Sequence, residues 1–392
     1  MVYGGSSPSR RTNMTANSKT EGLRTWIEVD KGAMKHNLAQ FRAIVSKKTK
    51  ICAVVKSNAY GHSLVDFSKE MEKNHVDWLA VDSVVEGIRL REEGIKIPIL
   101  ILGYTLPEKM QEAVDVDLSI SISHFEALEE VLKISDAKIH IKVDTGMHRQ
   151  GFMLNDAPKL LKILSGTKNS LEVEGLFTHF AAAKNPAFPA RTQKQLAEFN
   201  QWLELLKKAG FDPIAHAAAT SGAILFPESH FDMVRIGIGL YGLWPSVETK
   251  VFAEKKGEKG MLLQPALTWK TIIAEVKTLP DGGAVGYDFT ETLSKNSKIA
   301  ILPIGYWHGY PRALSGIGEI LIHGELAKVV GRVAMDMVIV DVSKIKNVKV
   351  GDEVILLGTE KNPTAMSIAG VLEDSWYEII TRLNPLIKRI FV

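Results

Sequence analysis

Ile51-Cys52-Ala53-Val54-Val55-Lys56 decides the fold: a short apolar run closed by a lysine. Seven further apolar runs follow, at 78–82, 98–102, 118–122, 138–143, 172–178, 213–218 and 233–238. Between them lie segments with helical spacing, such as Leu64 to Lys73, Val84 to Glu93, Phe125 to Ile134 and Thr192 to Ala209. The last carries Leu196, Phe199, Leu203 and Leu206 on one stripe, the pattern of a helix with one buried face. Repeated strand-then-helix units pair in parallel through right-handed crossovers. Eight of them predict an α/β fold with an N-terminal (β/α)8 TIM-type barrel. An open doubly wound sheet is the competitor, but no Gly-x-Gly-x-x-Gly turn follows an early strand.

After Pro245 the texture changes. Residues 246–262 are polar and lysine-rich and read as a linker or surface excursion. From 267 onward the runs are β-branched and closely spaced: Trp269 to Val276, Ile299 to Ile304, Glu319 to Ile322, Val333 to Val342 and Glu353 to Leu357. Turn signals such as Pro280-Asp281-Gly282-Gly283 and His323-Gly324 separate them. The expected division is a disordered extension over 1–23, a barrel over 24–250 and a C-terminal mostly-β domain over 251–392. Thr25-Trp26-Ile27-Glu28-Val29 alternates like a strand and could join either domain.

Composition narrows the function classes. With 48 basic and 45 acidic residues the net charge is +3, too balanced for a nucleic-acid-binding or polybasic membrane protein. No apolar stretch approaches a membrane span, and no apolar core follows Arg10-Arg11, so a secretory signal is not expected and a cytoplasmic location is. The single cysteine, Cys52, excludes an internal disulfide and reads as a small buried hydrophobe.

In a barrel, chemistry lies at the carboxyl ends of the strands. Lys56 ends the first run; Lys142 and Asp144 end the fifth, with Arg149 just beyond; Thr178 and His179 end the sixth. Ser221 follows the seventh, and Arg235 lies in the eighth with Gly237 and Gly239 after it. Small residues and a hydroxyl after the last two strands suit a phosphate. A strand-end lysine alone reads as a side chain reaching water. Beside a phosphate site it suits a Schiff base with an aldehyde, and an aldehyde with a phosphate is pyridoxal 5′-phosphate.

The stretch Ala53-Val54-Val55-Lys56-Ser57-Asn58-Ala59-Tyr60-Gly61-His62 resembles the cofactor-lysine signature of alanine racemases. The resemblance runs from Arg24 to Val392 and continues in order through Lys142-Val143-Asp144-Thr145-Gly146-Met147, Thr178-His179-Phe180, Arg235-Ile236-Gly237-Ile238, Val285-Gly286-Tyr287, Leu302-Pro303-Ile304-Gly305-Tyr306, Gly331-Arg332-Val333-Ala334-Met335-Asp336 and Trp376-Tyr377-Glu378. It implies that Lys56 carries the cofactor and serves as one base. Tyr287, from the second domain of a partner subunit, is then the base on the opposite face, in a homodimer with its sites at the interface. Arg235 would meet the pyridine nitrogen, and Tyr60, Ser221, Gly237, Ile238 and Tyr377 the phosphate. Arg149 would contact the cofactor oxygen and the substrate carboxylate, His179 would lie between Arg235 and Tyr287, and Met335, Tyr306 and Asp336 would line the substrate pocket and its entrance. Lys142 would be carbamylated beside Arg149. The substrate would be alanine, with D-alanine supplied to peptidoglycan; no metal, nucleic acid or membrane is implied.

Two bases on opposite faces are what racemisation needs, because the α-proton leaves one face and returns to the other. Arginine at the ring nitrogen donates and never accepts, so it leaves that nitrogen without a proton and restrains the electron sink. The remaining histidines, His140 and His216 among them, lack metal-ligand spacing and read as surface or structural. Four positions depart from the family pattern: Ser63 and His148 where glycine is usual, Thr220 for asparagine, and His308 for aspartate. The competing readings are a racemase of another amino acid (serine or broad-spectrum), a decarboxylase of the same architecture, and a non-catalytic pyridoxal-phosphate-binding barrel. Arg235 speaks against the decarboxylase, and the second domain against the last.

Overall fold

The computed structural model describes residues 19–166, 171–254, 260–293, 296–359 and 363–392. The expected extension over 1–23 falls largely outside the described residues.

The apolar runs become strands. β1 (Thr25–Val29) precedes the barrel strands β2 (Lys50–Val54), β3 (Trp78–Val81), β4 (Ile99–Ile101), β5 (Leu118–Ile122), β6 (Ala137–Lys142), β7 (Leu171–Phe177), β8 (Ile214–His216) and β9 (Met233–Ile236). β2 to β8 pair in parallel in chain order, and β9 pairs with β2, which excludes the doubly wound sheet. The barrel closes between β8 and β9 through the Ala219–Arg235 bridge and the Arg235 N–H to Ala218 carbonyl bond of 2.9 Å. Helices over Leu64–Lys73, Val84–Glu92, Phe125–Val131 and Ala190–Lys208 cover it. On the last, Trp202 is fully buried alongside Phe199 and Leu206, while Leu203 is only half-buried.

Strand residues alternate between the helical layer and the barrel interior. Ile51, Ala53 and Val55 join the outer core. Cys52, Val54, Trp78, Ala80, Leu100 and Met233 form a separate inner cluster. The rest of the interior carries polar side chains as well: Ser119, Ser121, His140, Lys142, His216 and Arg235 are all buried.

The second domain is a nine-stranded sheet in the order β11-β14-β17-β16-β15-β18-β10-β1-β19. Its strands are β10 (Leu267–Ile272), β11 (Glu275–Thr278), β14 (Lys298–Leu302), β15 (Glu319–Ile322), β16 (Glu325–Val329), β17 (Val338–Asp341), β18 (Glu353–Leu357) and β19 (Lys388–Phe391); β12 (Ala284–Val285) and β13 (Glu291–Thr292) form a small hairpin outside it. β1 pairs with β10 antiparallel and β19 parallel, so the first strand among the described residues lies in this sheet. The run Trp269 to Val276 breaks into β10 and β11, and only residues 338–341 of the run 333–342 pair as a strand. Part of the expected linker is a helix, Val247–Glu254, which buries Thr249 and Ala253. No helix among the described residues is long and apolar enough to cross a membrane.

Candidate active site

A cavity of about 830 Å³ opens at the carboxyl ends of the barrel strands. Lys56, Tyr60, Lys142, Arg149, His179, Ser221, Arg235, Gly237, Ile238 and Tyr377 all line it. Tyr287, Tyr306, Met335 and Asp336 do not. Tyr287 sits on the loop between β12 and β13 and is 69% exposed. Tyr306 and Met335 are exposed too, beside Phe289, Trp307 and Met337 in the same domain.

Lys56 leaves the end of β2 into an unusual turn. Ser57, Asn58, Ala59 and Tyr60 have φ of 57°, 56°, 50° and 50°, one left-handed turn in residues with side chains. Such a conformation needs support from outside. Glu86 accepts the Ser57 N–H at 2.7 Å and the Asp82 N–H at 2.8 Å, and Asn58 Oδ1 accepts the Leu64 N–H at 2.9 Å. From the second domain, Arg389 Nε donates to the Gly61 carbonyl at 3.0 Å. The Lys56 ammonium pairs with Asp82 Oδ1 at 2.8 Å.

Asp144 builds the loop that carries Arg149. Its Oδ1 accepts the N–H groups of Gly146, Met147 and His148 at 2.8–3.0 Å, and Oδ2 that of Arg149 at 3.1 Å. Burial opposes its charge, but these donors outweigh it and hold the carboxyl below its ordinary value. Burial and then Arg149 and Arg235 push the Lys142 amine down to about 8, and it donates to Gln150 Oε1 at 3.0 Å.

Arg235 is held by acceptors. Its Nη1 meets His216 Nδ1 and the His216 carbonyl; its Nη2 meets the Thr178 and Ala217 carbonyls and, at 3.4 Å, His179 Nδ1. Burial lowers the guanidinium to about 10, still charged at neutral pH. Desolvation at the cavity wall, and then Arg235, push the half-buried His179 down to about 3. It is therefore neutral, with Nδ1 accepting and its proton on Nε2.

The cavity wall also carries a cradle of small residues and hydroxyls. Thr220 Oγ1 accepts the Gly237 N–H at 3.2 Å, so the contribution of Gly237 is its missing side chain. A Cβ there would lie 2.8 Å from Tyr60 Oη. Burial raises Tyr60 to about 12 and Tyr377 above its ordinary value, so both stay hydroxyl donors.

Two of the four departures acquire reasons, and the other two stand where the backbone favours the residue they replace. Ser63 and His148 have φ of 88° and 54°, where glycine is the unstrained choice. Thr220 holds Gly237, and His308 accepts the Gly305 N–H on Nδ1 at 3.2 Å, an acceptor's role that aspartate also fills.

Three participants were not singled out from sequence: Asp82 as the partner of Lys56, Glu86 as the clamp of its turn, and Gln150 beside Lys142. Asp82 ends the second run, so the strand-end rule that selected Lys56 reaches it as well.

Fold and cavity define the class: a two-domain enzyme with a (β/α)8 barrel, a mostly-β second domain and a site at the strand ends. Residues 29–245 match the family model "Alanine racemase, N-terminal domain" and 266–391 the model "Alanine racemase, C-terminal domain". The chain belongs to the alanine racemase family. It is 39% identical over 377 residues to an alanine racemase of Methanococcus maripaludis, covering 94% of this chain and 98% of that protein. The alanine racemase structure from Clostridium difficile 630 superposes with a TM-score of 0.88 at 33% identity, covering 94% of this chain and 96% of that one. One from Bacillus anthracis, with bound L-Ala-P, gives 0.87 at 34% identity, covering 94% and 95%.

Proposed function

We propose that the protein interconverts L-alanine and D-alanine with pyridoxal 5′-phosphate carried on Lys56. One observation carries the reading: a strand-end lysine, a buried guanidinium and a glycine-hydroxyl cradle face one cavity. The cavity residues fit that cofactor. Tyr60, Tyr377 and Ser221 offer hydroxyls to a phosphate, and the missing side chain at Gly237 is what lets the Tyr60 hydroxyl reach the cavity wall. Four terminal N–H groups of Arg235 already meet protein acceptors, which leaves its Nε–H for the ring nitrogen. When bound, the cofactor supplies the electron sink that acidifies the substrate's α-carbon. Arg149, fixed through Asp144, orients the substrate carboxylate. Lys56 Nζ moves the proton on one face.

The opposite face needs a second base, and the chain's own cavity does not contain Tyr287. We assign that role to Tyr287 of the partner subunit in a two-fold homodimer, with the exposed group Tyr287, Phe289, Tyr306, Trp307, Met335 and Met337 at the interface. Met335, Tyr306 and Asp336 then border the neighbour's substrate pocket, and His179 Nε2–H points its donor toward the phenol. A cytoplasmic supply of D-alanine for peptidoglycan belongs to the same proposal.

Mixing inactive K56A and Y287F chains tests it. If each site joins Lys56 of one chain to Tyr287 of the other, random pairing restores about a quarter of the wild-type racemisation rate. Recovery of none, with dimers shown to exchange, places both bases on one chain. A panel of L-amino acids tests the substrate: turnover of serine above alanine would replace the assignment.

A further inference from the structure

Behind Arg235, on the side away from the cavity, three polar side chains remain unused by the mechanism above. Glu174 Oε2 lies 3.1 Å from His140 Nε2, His140 Nδ1 lies 2.8 Å from His216 Nε2, and His216 Nδ1 lies 2.8 Å from Arg235 Nη1. Both imidazoles are fully buried. Ser119 Oγ donates to the same Glu174 oxygen.

The direction of these bonds follows from their ends. A guanidinium only donates, so His216 Nδ1 is bare and its proton sits on Nε2. That proton goes to His140 Nδ1, which is therefore bare as well. His140 then carries its own proton on Nε2 and donates to Glu174. An ionised carboxylate only accepts, so the chain Arg235→His216→His140→Glu174 closes without a clash. Burial and Arg235 hold His216 far below its ordinary range, hence neutral. Burial opposes the Glu174 charge, but the His140 and Ser119 hydrogen bonds outweigh it and keep the carboxyl ionised.

Two backbone features accommodate this chain. Between β6 and β7, Ile139 pairs with Val173 but His140 with Gly175, a slip of register that inserts Glu174. A bulge re-aims a side chain, and here consecutive residues Glu174 and Gly175 both meet His140. A Cβ on Gly175 would lie 2.1 Å from His140 Nδ1, the atom that receives the His216 proton. Phe177 stacks on His216 with centroids 4.9 Å apart, and Trp78 sets its edge against His140 at 5.4 Å.

We propose that Glu174 is a positioning residue for Arg235: it is the terminal acceptor that orders His140 and His216 as Nε2–H tautomers, so that Arg235 always faces a lone pair. The consequence for the cofactor rests on the assignment of Arg235 to the ring nitrogen.

The test uses full-length protein labelled with 15N-histidine, measured by solid-state NMR without cofactor, with signals assigned by H140Q and H216Q. Wild type is expected to show His140 and His216 each with one protonated Nε2 and one bare Nδ1. E174Q, whose carboxamide oxygen still accepts, is expected to keep that pattern. E174L leaves the His140 proton without its acceptor, and a second tautomer set is expected. G175A, which pushes His140 from its seat, is expected to do the same and serves if E174L does not fold. In loaded protein, E174L is expected to weaken pyridoxal 5′-phosphate binding about tenfold, the size of one unsatisfied buried donor, and E174Q hardly at all.

A proton on His216 Nδ1 in wild type overturns the proposal. So does E174L with the wild-type pattern, since the Arg235 end would then order the chain alone. E174Q behaving like E174L also overturns it, because charge and not acceptance would be the cause. Wild type that fails to bind the cofactor through Lys56 overturns the reading of the cavity instead; the tautomer spectrum of unloaded protein is read independently of it.

Discussion

Lys56 Nζ lies 2.8 Å from Asp82 Oδ1, so the amine at the end of β2 is paired with a carboxylate just past the end of β3. On the proposed role of Lys56, Asp82 would compete with the cofactor for that amine, since a paired ammonium is not a nucleophile. In D82N the absorbance of lysine-bound cofactor is expected to grow in faster after pyridoxal 5′-phosphate is added to unloaded protein. Both partners are well exposed, so thermal stability should change by less than about 1 kcal/mol. A stopped-flow trace with an unchanged or slower rate ends the argument.

Lys142 is an amine prepared to react with carbon dioxide. With its value pushed down to about 8, roughly one molecule in ten is neutral at pH 7. The resulting carbamate would place a negative charge among Arg149, Arg235 and Lys56, the cations that depress the amine. A carbamate carbon signal is expected in protein equilibrated with 13C-bicarbonate and absent in K142A, whose KM for alanine should rise as Arg149 loses the negative charge of the carbamate. No signal at pH 8 or above removes the modification.

Removing the Asp144 side chain strands four N–H groups of the Arg149 loop. D144A is expected to lose about 2 kcal/mol or more of stability and to raise KM more than it lowers kcat. The carboxyl titrates below its ordinary value in the fold, so its contribution is complete at neutral pH and lost as pH falls through that depressed value. An alanine variant with an unchanged KM would show that Arg149 is held by something else.

His308 predicts an acid-side weakness. Burial lowers its value below that of a free imidazole, against the attraction of Asp336, and protonation would break the Gly305 N–H bond to Nδ1. A folded value below the unfolded one means that stability is full above about pH 6.5 and declines as pH falls from there. The slope of melting temperature against pH should flatten between about pH 4 and 6.5 in H308D, where the carboxylate accepts without a proton cost until its own range. Identical slopes would clear His308 of any role in pH dependence.

The barrel was legible in the sequence because its strands are buried on both faces and read as apolar runs; each of the eight runs holds a strand within a residue or two of its limits. β16 and β19 were not legible, because Glu325–Val329 and Lys388–Phe391 mix charged and apolar residues without a clean alternation. Of the candidate site, Lys56, Arg149, His179, Ser221 and Arg235 stood out because strand ends are predictable positions. Glu174, His140 and His216 did not. A polar residue inside an apolar strand looks the same facing the barrel axis or a helix, and the slip at Glu174 reverses the parity that would tell them apart.

The left-handed turn after Lys56 has one more consequence. Of its four residues with positive φ, Asn58 tolerates the conformation, while Ser57, Ala59 and Tyr60 each cost on the order of 1 kcal/mol. One of its supports, Arg389, comes from the last strand of the chain. The aim of the Lys56 amine therefore depends on the barrel and the second domain being held together, and a barrel released from its β domain by proteolysis should slacken at Lys56 before it loses its strands.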